Sequence, residues 1–88
     1  MIILNYNIII YNDDFTPFLF VVELLVNVLN FDETKAILKV KEIEKNGFIK
    51  FKFNSYEISE AKALELKDFV KYHNFDLKII FEKDNDVK

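Results

Sequence analysis

The chain of 88 residues contains no cysteine, no tryptophan and no arginine, and it has only one glycine, one proline and one histidine. Without cysteine, disulfides, thiol catalysis and cysteine-based zinc sites are all excluded. A single histidine, His73, argues against a histidine metal site and against a Ser-His catalytic pair. Any chemistry of this protein therefore depends on carboxylates, amides, hydroxyls and lysines.

The sequence also lacks a long uninterrupted hydrophobic run. Its longest apolar stretch, residues 18–31, contains Glu23, Asn27 and Asn30 and is too short to cross a bilayer. The opening MIILNYN has neither the basic start nor the small-residue cleavage site of a signal peptide. We therefore expect a soluble, cytoplasmic protein, and a monomer.

What the chain does contain is hydrophobic bulk and acid. Apolar residues make up 51% of the sequence and ten of them are phenylalanine, which predicts one small domain that folds without disulfide or metal staples. The net charge is -3 and the pI is about 5.1, which argues against a nucleic-acid or anionic-membrane partner. Residues 1–31 hold three acids and no lysine, so the N-terminal third carries the negative field.

The first half of the chain predicts one strand and two helices. Residues 2–11 are rich in Ile and Tyr, and Asn5 and Asn7 give part of this strand a two-residue period. Thr16 followed by Pro17 predicts a helix start with Thr16 as the cap, and the helix then runs to about Leu29. It is apolar on nearly every side, so we expect it deep in the core.

The second predicted helix runs from about Glu33 to Asn46 and presents Ala36, Val40 and Ile43 on one face. Gly47, the only glycine, stands where the end of a helix favours a left-handed residue. A β-strand should follow.

In that strand, FIKFKFN, Phe alternates with Lys except at Ile49, which indicates one buried face. Ser55 predicts the cap of a third helix that carries Glu57 near its positive end and extends to about His73. Residues 77–82 predict a last strand, so the domain spans residues 1–83 and residues 84–88 form a polar tail. The predicted order is β-α-α-β-α-β.

Phe and Lys interleaved on a strand can also stack and bind the bases of RNA. The alternative is that the Phe side chains of FIKFKF face the core while the Lys side chains face water. The acidic net charge favours the second interpretation, and the element order lacks the β-α-β-β-α-β of the RNA-recognition module. For the apolar helix, core packing is likewise favoured over a partner-binding face.

The stretch YNDDFTP, residues 11–17, joins the first strand to the first helix. Asp13, Asp14 and Glu44 could bind a hard cation, but such a site needs six or more oxygens and no spaced acidic loop is present. An acid/base hydrolase would need a nucleophile or an oxyanion donor beside the carboxylates, and would lose its turnover in Asp13→Ala. From spacing alone, turn chemistry is the favoured interpretation of this corner.

The residues of this corner closely resemble a family signature. YNDDFTPFLFVVELL is similar to the ClpS family, whose members have an acidic NDD, an aromatic residue, Thr-Pro and then a helix containing Phe-Val. The likeness covers essentially the whole chain. It continues at Asp32, Ala36, Gly47, residues 57–62, Leu77 and Glu82.

This resemblance implies an α+β fold: a single small domain with a three-stranded antiparallel sheet packed against three helices, similar also to the C-terminal domain of ribosomal protein L7/L12. ClpS proteins are non-enzymatic adaptors, without cofactor or metal, for ClpA- and ClpC-type AAA+ unfoldases. They bind N-degrons, which are substrates with a free α-amine and a bulky first residue (Phe, Tyr, Trp or Leu). The resemblance implies roles for ten residues of a binding site: α-amine contacts from Asn12, Asp13 and Glu44; loop support from Asp14 and Thr16; and a hydrophobic pocket from Phe18, Val21, Val40, Ile43 and Leu77. It also implies that Glu57 and Lys62 meet the unfoldase.

Three pocket positions depart from the family pattern. Glu44 stands where the family has a histidine that contacts the amine; either the carboxylate accepts from the ammonium, or Glu44 is a solvated helix residue and water takes its place. Phe18 stands where the family has a methionine gate that excludes β-branched first residues, so we expect the exclusion to persist. Val40 replaces a second methionine, which predicts a deeper or wider pocket that favours aromatic first residues over Leu.

Eleven residues precede Asn12, and most of them lie in the predicted strand. Family members commonly carry a flexible extension at this end, so we expect recognition to be intact and active delivery to the unfoldase to be altered. A different class of function stays open: an L7/L12-like structural or protein-interaction domain that does not discriminate between the first residues of peptides.

Overall fold

A computed structural model describes residues 2–87 of the chain, with side chains described for residues 5–84. The elements follow the predicted order β-α-α-β-α-β: β1 (Ile2–Tyr11), α1 (Phe18–Leu29), α2 (Glu33–Asn46), β2 (Phe48–Phe53), α3 (Tyr56–Tyr72) and β3 (Ile79–Val87). Within the described residues, none of the helices has the length and hydrophobicity needed to cross a membrane.

The three strands form one antiparallel sheet in the order β2-β1-β3, as the family resemblance implies. The central strand is β1, and its Ile8 and Ile10 are fully buried because the helices cover that face of the sheet. They join Ile49, Ile79 and the buried helix residues in one hydrophobic core. The fold is α+β, with all three helices contributing to this core.

The other face of the sheet carries alternate residues of the same strands. Asn7 lies on this face between its register partners Lys52 and Glu82, and Ile9 lies between Lys50 and Ile80. The Asn7 side chain is fully buried, and its amide has no hydrogen-bond partner among the residues whose side chains are described. The side chains of β1 therefore alternate between the two faces of the sheet, as predicted. However, the polar Asn7 side chain is buried as fully as Ile8 and Ile10 on the opposite face.

The start of α1 differs from the predicted cap. Pro17, not Thr16, is the capping residue: its backbone is extended and its carbonyl accepts the Val21 N–H at 3.3 Å. The Thr16 hydroxyl donates to Asp13, and α1 has no side-chain cap. At the other end, Asn30 adopts a left-handed conformation, with φ 60°, and its N–H donates to the Leu25 carbonyl.

Helix α1 has one exposed side despite its hydrophobicity. Leu19 is 70% exposed and Glu23 is also exposed, whereas six other residues are buried in the core: Phe20, Val21, Val22, Leu24, Leu25 and Val28. The expectation of a core helix is confirmed for the greater part of its surface.

Helix α2 matches its prediction at both ends. Asp32 caps the helix and accepts the Lys35 N–H at 2.8 Å, and Gly47 ends it with φ 88°. An L-residue is strained at that positive φ, which explains the glycine. Ala36, Val40 and Ile43 are the buried face, as the spacing predicts.

In strand β2, the residue that interrupts the Phe–Lys alternation differs from the predicted one. Ile49 belongs with Phe51 and Phe53 on the side of the core, and Phe48 is the residue that breaks the Phe–Lys alternation, because it lies on the open face with Lys50 and Lys52. The expectation that Phe faces the core and Lys faces water therefore holds except at Phe48, which is 43% exposed. Its ring lies 6.3 Å from that of Tyr11.

Helix α3 begins after Ser55, as predicted, with the Ser55 hydroxyl accepting the Ile58 N–H at 3.3 Å. The last strand differs more. It starts at Ile79 and continues to Val87, so residues 84–87, predicted as a polar tail, pair with β1. Strands pair through backbone hydrogen bonds, which do not depend on polar or apolar side chains. A polar segment can therefore pair with the long central strand although its sequence shows no hydrophobic periodicity. Lys88 lies outside the described residues.

Candidate functional site

The loop between β1 and α1, residues 12–17, is tied to the ends of two other elements. The Tyr11 N–H donates to the Lys78 carbonyl at 3.1 Å, just before β3. The Asn12 N–H donates to the Gly47 carbonyl at 2.8 Å, between α2 and β2. The backbone at Asn12 is thus fixed by residues distant in sequence, and the left-handed Gly47 positions one of the two acceptors.

Within the loop, Asp13 is held by its neighbours. Its Oδ1 accepts the Phe15 N–H at 3.0 Å and its Oδ2 accepts the Thr16 hydroxyl at 2.5 Å. These bonds, first the one from Thr16 and then the one from Phe15, lower the pKa of the Asp13 carboxyl below its ordinary value. The carboxylate is therefore ionised at neutral pH, and each oxygen keeps a lone pair for a further donor.

Beside this loop lies a small, partly open cavity of about 40 Å³ between β1, α1, α2 and the segment before β3. Its apolar wall consists of buried side chains from three parts of the chain: Val21 of α1, Val40 and Ile43 of α2, and Leu77 before β3. Oxygen acceptors border the same cavity: Asn12, Asp13, Thr16 and Glu44.

The arrangement separates polar from apolar surface. Asn12 and Glu44 are exposed and Asp13 is half-buried, whereas the apolar wall is buried. A cation held at the acceptors would therefore stay near water, while an apolar group attached to it would enter the interior. Among the residues whose side chains are described, no lysine lines this cavity, where two carboxylates and an amide supply oxygen acceptors.

Nine of the ten residues that the resemblance implies for the binding site line this cavity. Asp14 is the exception: it is exposed and does not border the cavity, so its supporting role stays a prediction. Two lining residues were missed, Ile10 and Tyr11. They are the last residues of β1, and their nearness to Asn12 was the signal that could have identified them.

The cavity is too small to hold a large side chain without opening. Dry cavities of about 150 Å³ accept benzene, whereas this one measures about 40 Å³. Phe18 borders it at the first turn of α1 and is only half-buried. Phe18 is packed against the core, whereas Val21, Val40 and Ile43 are buried within it.

A metal site finds no support in the arrangement. Among the residues whose side chains are described, no three of His, Cys, Asp or Glu come close enough together to hold an ion. Asp13 and Glu44 border the same cavity, but a hard cation such as Ca²⁺ needs six or more oxygens around it.

Glu57 and Lys62 lie away from the cavity, on α3. Glu57 is exposed in the first turn. The Lys62 ammonium donates to the Val28 carbonyl at 3.0 Å and lies 3.7 Å from the Glu65 carboxylate. Lys62 therefore joins α3 to the end of α1, and its side chain is only partly available to a partner.

Comparison with known proteins identifies relatives of this arrangement. The family model of the ATP-dependent Clp protease adaptor protein ClpS matches residues 4–80. The Clp protease adapter ClpS of Treponema denticola is 33% identical over 79 residues, covering 90% of this chain and 78% of that protein. ClpS 2 of Rhodopseudomonas palustris is 32% identical over 78 residues, covering 89% of this chain and 72% of the relative.

A solved structure is also similar. The Agrobacterium tumefaciens ClpS2 bound to L-phenylalaninamide superposes with a TM-score of 0.80 and 26% sequence identity, covering 93% of this chain and 99% of that one. The similarity thus extends over the three strands and three helices together.

Proposed function

The chain belongs to the ClpS family of Clp protease adaptor proteins, and we propose that its cavity binds the free α-amine and the bulky hydrophobic first residue of substrate proteins. The observation that carries this proposal is the meeting of carboxylate and amide oxygens with a buried apolar wall at one small cavity. The ligand of the Agrobacterium relative, L-phenylalaninamide, has the same two parts: a free amine and a phenylalanine side chain.

The α-amine is recognised by convergent acceptors. An ammonium has three donor hydrogens, and Asn12, Asp13 and Glu44 supply acceptors at the cavity mouth. Asp13 suits this role because its carboxylate is ionised at neutral pH and is held in place by bonds from Thr16 and Phe15. An acetylated N-terminus has no charge and only one donor, so it satisfies few of these acceptors.

The first side chain enters between Val21, Val40 and Leu77 once Phe18 has moved outward. Burial of one Phe or Leu side chain contributes about 1.5–3 kcal/mol. Each charge-assisted hydrogen bond adds about 1.5–3 kcal/mol, against an association cost of at least about 4 kcal/mol. We expect dissociation constants near micromolar, as suits an adaptor that must release its substrate.

Delivery requires a second surface. We assign it to the first turns of α3, where Glu57 is exposed and meets the N-terminal domain of a ClpA- or ClpC-type unfoldase in the cytoplasm. Lys62 contributes through the part of its ammonium that Val28 and Glu65 leave accessible. The cavity and this surface lie on different elements, so substrate and unfoldase can be bound together. The role involves binding and presentation, without catalysis.

A peptide titration tests the proposal. A dye-labelled peptide that begins with Phe is compared by fluorescence anisotropy with its acetylated copy and with a copy that begins with Ser. We expect the free Phe peptide alone to bind, and Asp13→Ala to abolish the binding.

The matched control is Asp68→Ala, which removes an exposed carboxylate of α3 away from the cavity and should leave affinity unchanged. Equal binding of the acetylated and free peptides would contradict the proposal. Absence of any first-residue preference would instead favour the L7/L12-like interaction domain.

A further inference from the structure

A wider and more open groove lies beside the cavity. It has a volume of about 610 Å³ and shares four residues with the cavity wall: Tyr11, Asn12, Asp13 and Thr16. The loop before α1 forms one side of the groove, and residues 74–78, between α3 and β3, form the other. Cavity and groove therefore meet at the acceptors that the proposed function assigns to the α-amine.

The position of the groove beside the cavity determines which part of a substrate can occupy it. A substrate held by its amine at Asn12 and Asp13 places its first side chain in the cavity, which is too small for anything more. Its second Cα lies about 3.8 Å from the first, and an extended chain advances about 3.3 Å per residue. The second and third residues therefore lie outside the cavity, and the groove bordered by Tyr11, Asn12, Asp13 and Thr16 is open space beside it.

The groove offers aromatic surface to those residues. Phe15 is 90% exposed, the highest value among the large hydrophobic residues whose side chains are described. Its backbone is held by the bond from its N–H to Asp13, so the ring is presented from a fixed point. Tyr11 and Phe75 line the same groove.

The far wall is rigid before any ligand arrives. The Phe75 ring packs on Phe20 of the core at 4.4 Å between centroids, and the Phe75 N–H donates to the Val70 carbonyl at 3.1 Å. Asn74 holds the left-handed conformation that turns the chain into this wall, with its N–H bonded to the Lys71 carbonyl at 3.0 Å. Because this wall is already ordered, the protein loses little conformational entropy when a ligand binds to it.

Charge in the groove is mixed and gives no strong electrostatic preference. Asp13 and Asp76 line it together with Lys78, whose ammonium lies 5.1 Å from the centre of the Tyr11 ring. Asp13 is already engaged by Thr16 and Phe15, and by the ammonium when substrate is bound. Selection by this groove therefore depends on contact with Phe15, Tyr11 and Phe75.

We propose that the groove is a second subsite, which takes the second and third residues of the substrate and selects large apolar or aromatic side chains there through Phe15. The inference rests on the proposed function, because it requires the first residue to be anchored in the cavity. It makes Phe15 a specificity-determining residue that does not touch the first side chain.

The test uses peptides that differ only at the second residue: Phe-Ala, Phe-Leu and Phe-Tyr, each followed by the same polar sequence and dye. Fluorescence anisotropy should give about fivefold tighter binding for Leu and Tyr than for Ala, as expected for partial burial of one side chain. Phe15→Ala keeps the backbone N–H that Asp13 accepts and should remove this difference.

Leu64→Ala is the matched control, because Leu64 is 55% exposed on α3 and does not line the groove. It should preserve the fivefold difference. Equal binding of the three peptides to the unmodified protein would overturn the inference, and so would an equal loss for all three in Phe15→Ala. The proposed function fails separately, if the Phe-Ala peptide binds no better than its acetylated copy.

Discussion

The Thr16 hydroxyl donates to Oδ2 of Asp13 at 2.5 Å, and the Thr16 side chain makes this bond and does not cap α1. It joins the residue before the α1 cap to the carboxylate that faces the cavity. The bond also lowers the pKa of Asp13 more than any other contact does. Thr16 therefore helps to hold the Asp13 carboxylate in place and lowers its pKa.

Thr16→Val should weaken binding of a Phe-initiated peptide about three- to tenfold, since the loss of one side-chain hydrogen bond costs about 0.5–1.5 kcal/mol. Valine keeps the shape and removes only the donor. Thr16→Ser, which keeps the hydroxyl, should bind nearly as well as the natural protein. Isothermal titration calorimetry measures both, and equal affinity in Thr16→Val would show that Asp13 needs no support from this residue.

The pH dependence of binding follows from the lowered pKa of Asp13. A carboxylate with a depressed pKa retains its charge above that pKa, so the contribution of Asp13 to binding should persist on acidification and be lost only below the ordinary value of 3.8. At the alkaline end, binding should fall above about pH 8, because a peptide α-amine has a pKa of about 7.7–8.0. No histidine lines the cavity, so no step is expected near pH 6.5.

Thr16→Val tests whether protonation of Asp13 causes the loss of binding at low pH. Without the largest cause of the shift, the pKa of Asp13 should rise toward 3.8, and the loss of binding should begin at a higher pH. Anisotropy is measured across the range, with circular dichroism at each point to confirm that the protein is folded. If Thr16→Val loses binding at the same low pH as the natural protein, a group other than Asp13 causes the loss.

Glu44→Gln decides between the two roles left open for Glu44. The residue borders the cavity with Asn12 and Asp13, so we expect its charge to contribute to amine binding. A charge-assisted bond contributes about 1.5–3 kcal/mol, which predicts at least about a tenfold loss of affinity. Glu42→Gln is the matched control, because Glu42 lies on the same helix, pairs with Lys39 at 3.7 Å and does not border the cavity. Equal affinities of the two variants would make Glu44 a solvated helix residue.

Val40 should set the preference between first residues. Its short side chain forms part of the buried wall, so we expect a Phe-initiated peptide to bind several-fold tighter than a Leu-initiated one. Val40→Met should fill this space and reduce the preference, at a cost in stability of about 1–3 kcal/mol from overpacking. Competition between the two peptides measures the ratio, and tighter binding of Leu to the natural protein would contradict the expectation.

Glu57→Lys should separate delivery from recognition. The substitution reverses an exposed charge on α3, away from the cavity, so peptide affinity should stay unchanged while binding to the N-terminal domain of a ClpA- or ClpC-type unfoldase falls at least about tenfold. Asp68→Lys makes the same charge change three turns further along the helix and should retain that binding. Surface plasmon resonance with the isolated unfoldase domain compares them; a loss in both variants would indicate a general charge effect.

Much of the local structure could be predicted because its causes are local. Asp32 and Ser55 cap their helices through bonds to N–H groups three residues ahead, and Gly47 ends α2 with a positive φ. Such interactions depend on residue types at fixed short spacings. The exception is Thr16, which does not cap α1: the capping residue is Pro17, and the Thr16 hydroxyl donates to Asp13.

The sequence by itself determined the order of the elements, the acceptors of the corner and the resemblance to the ClpS family. Only the tertiary structure decided that Val21, Val40 and Leu77 meet beside Asn12, that β3 extends to Val87, and that a groove lined by Phe15 lies beside the cavity. The reason is physical. Caps and turns are selected by neighbours along the chain, whereas a cavity is the space left when distant elements pack, and strand pairing depends on backbone groups that every residue type carries.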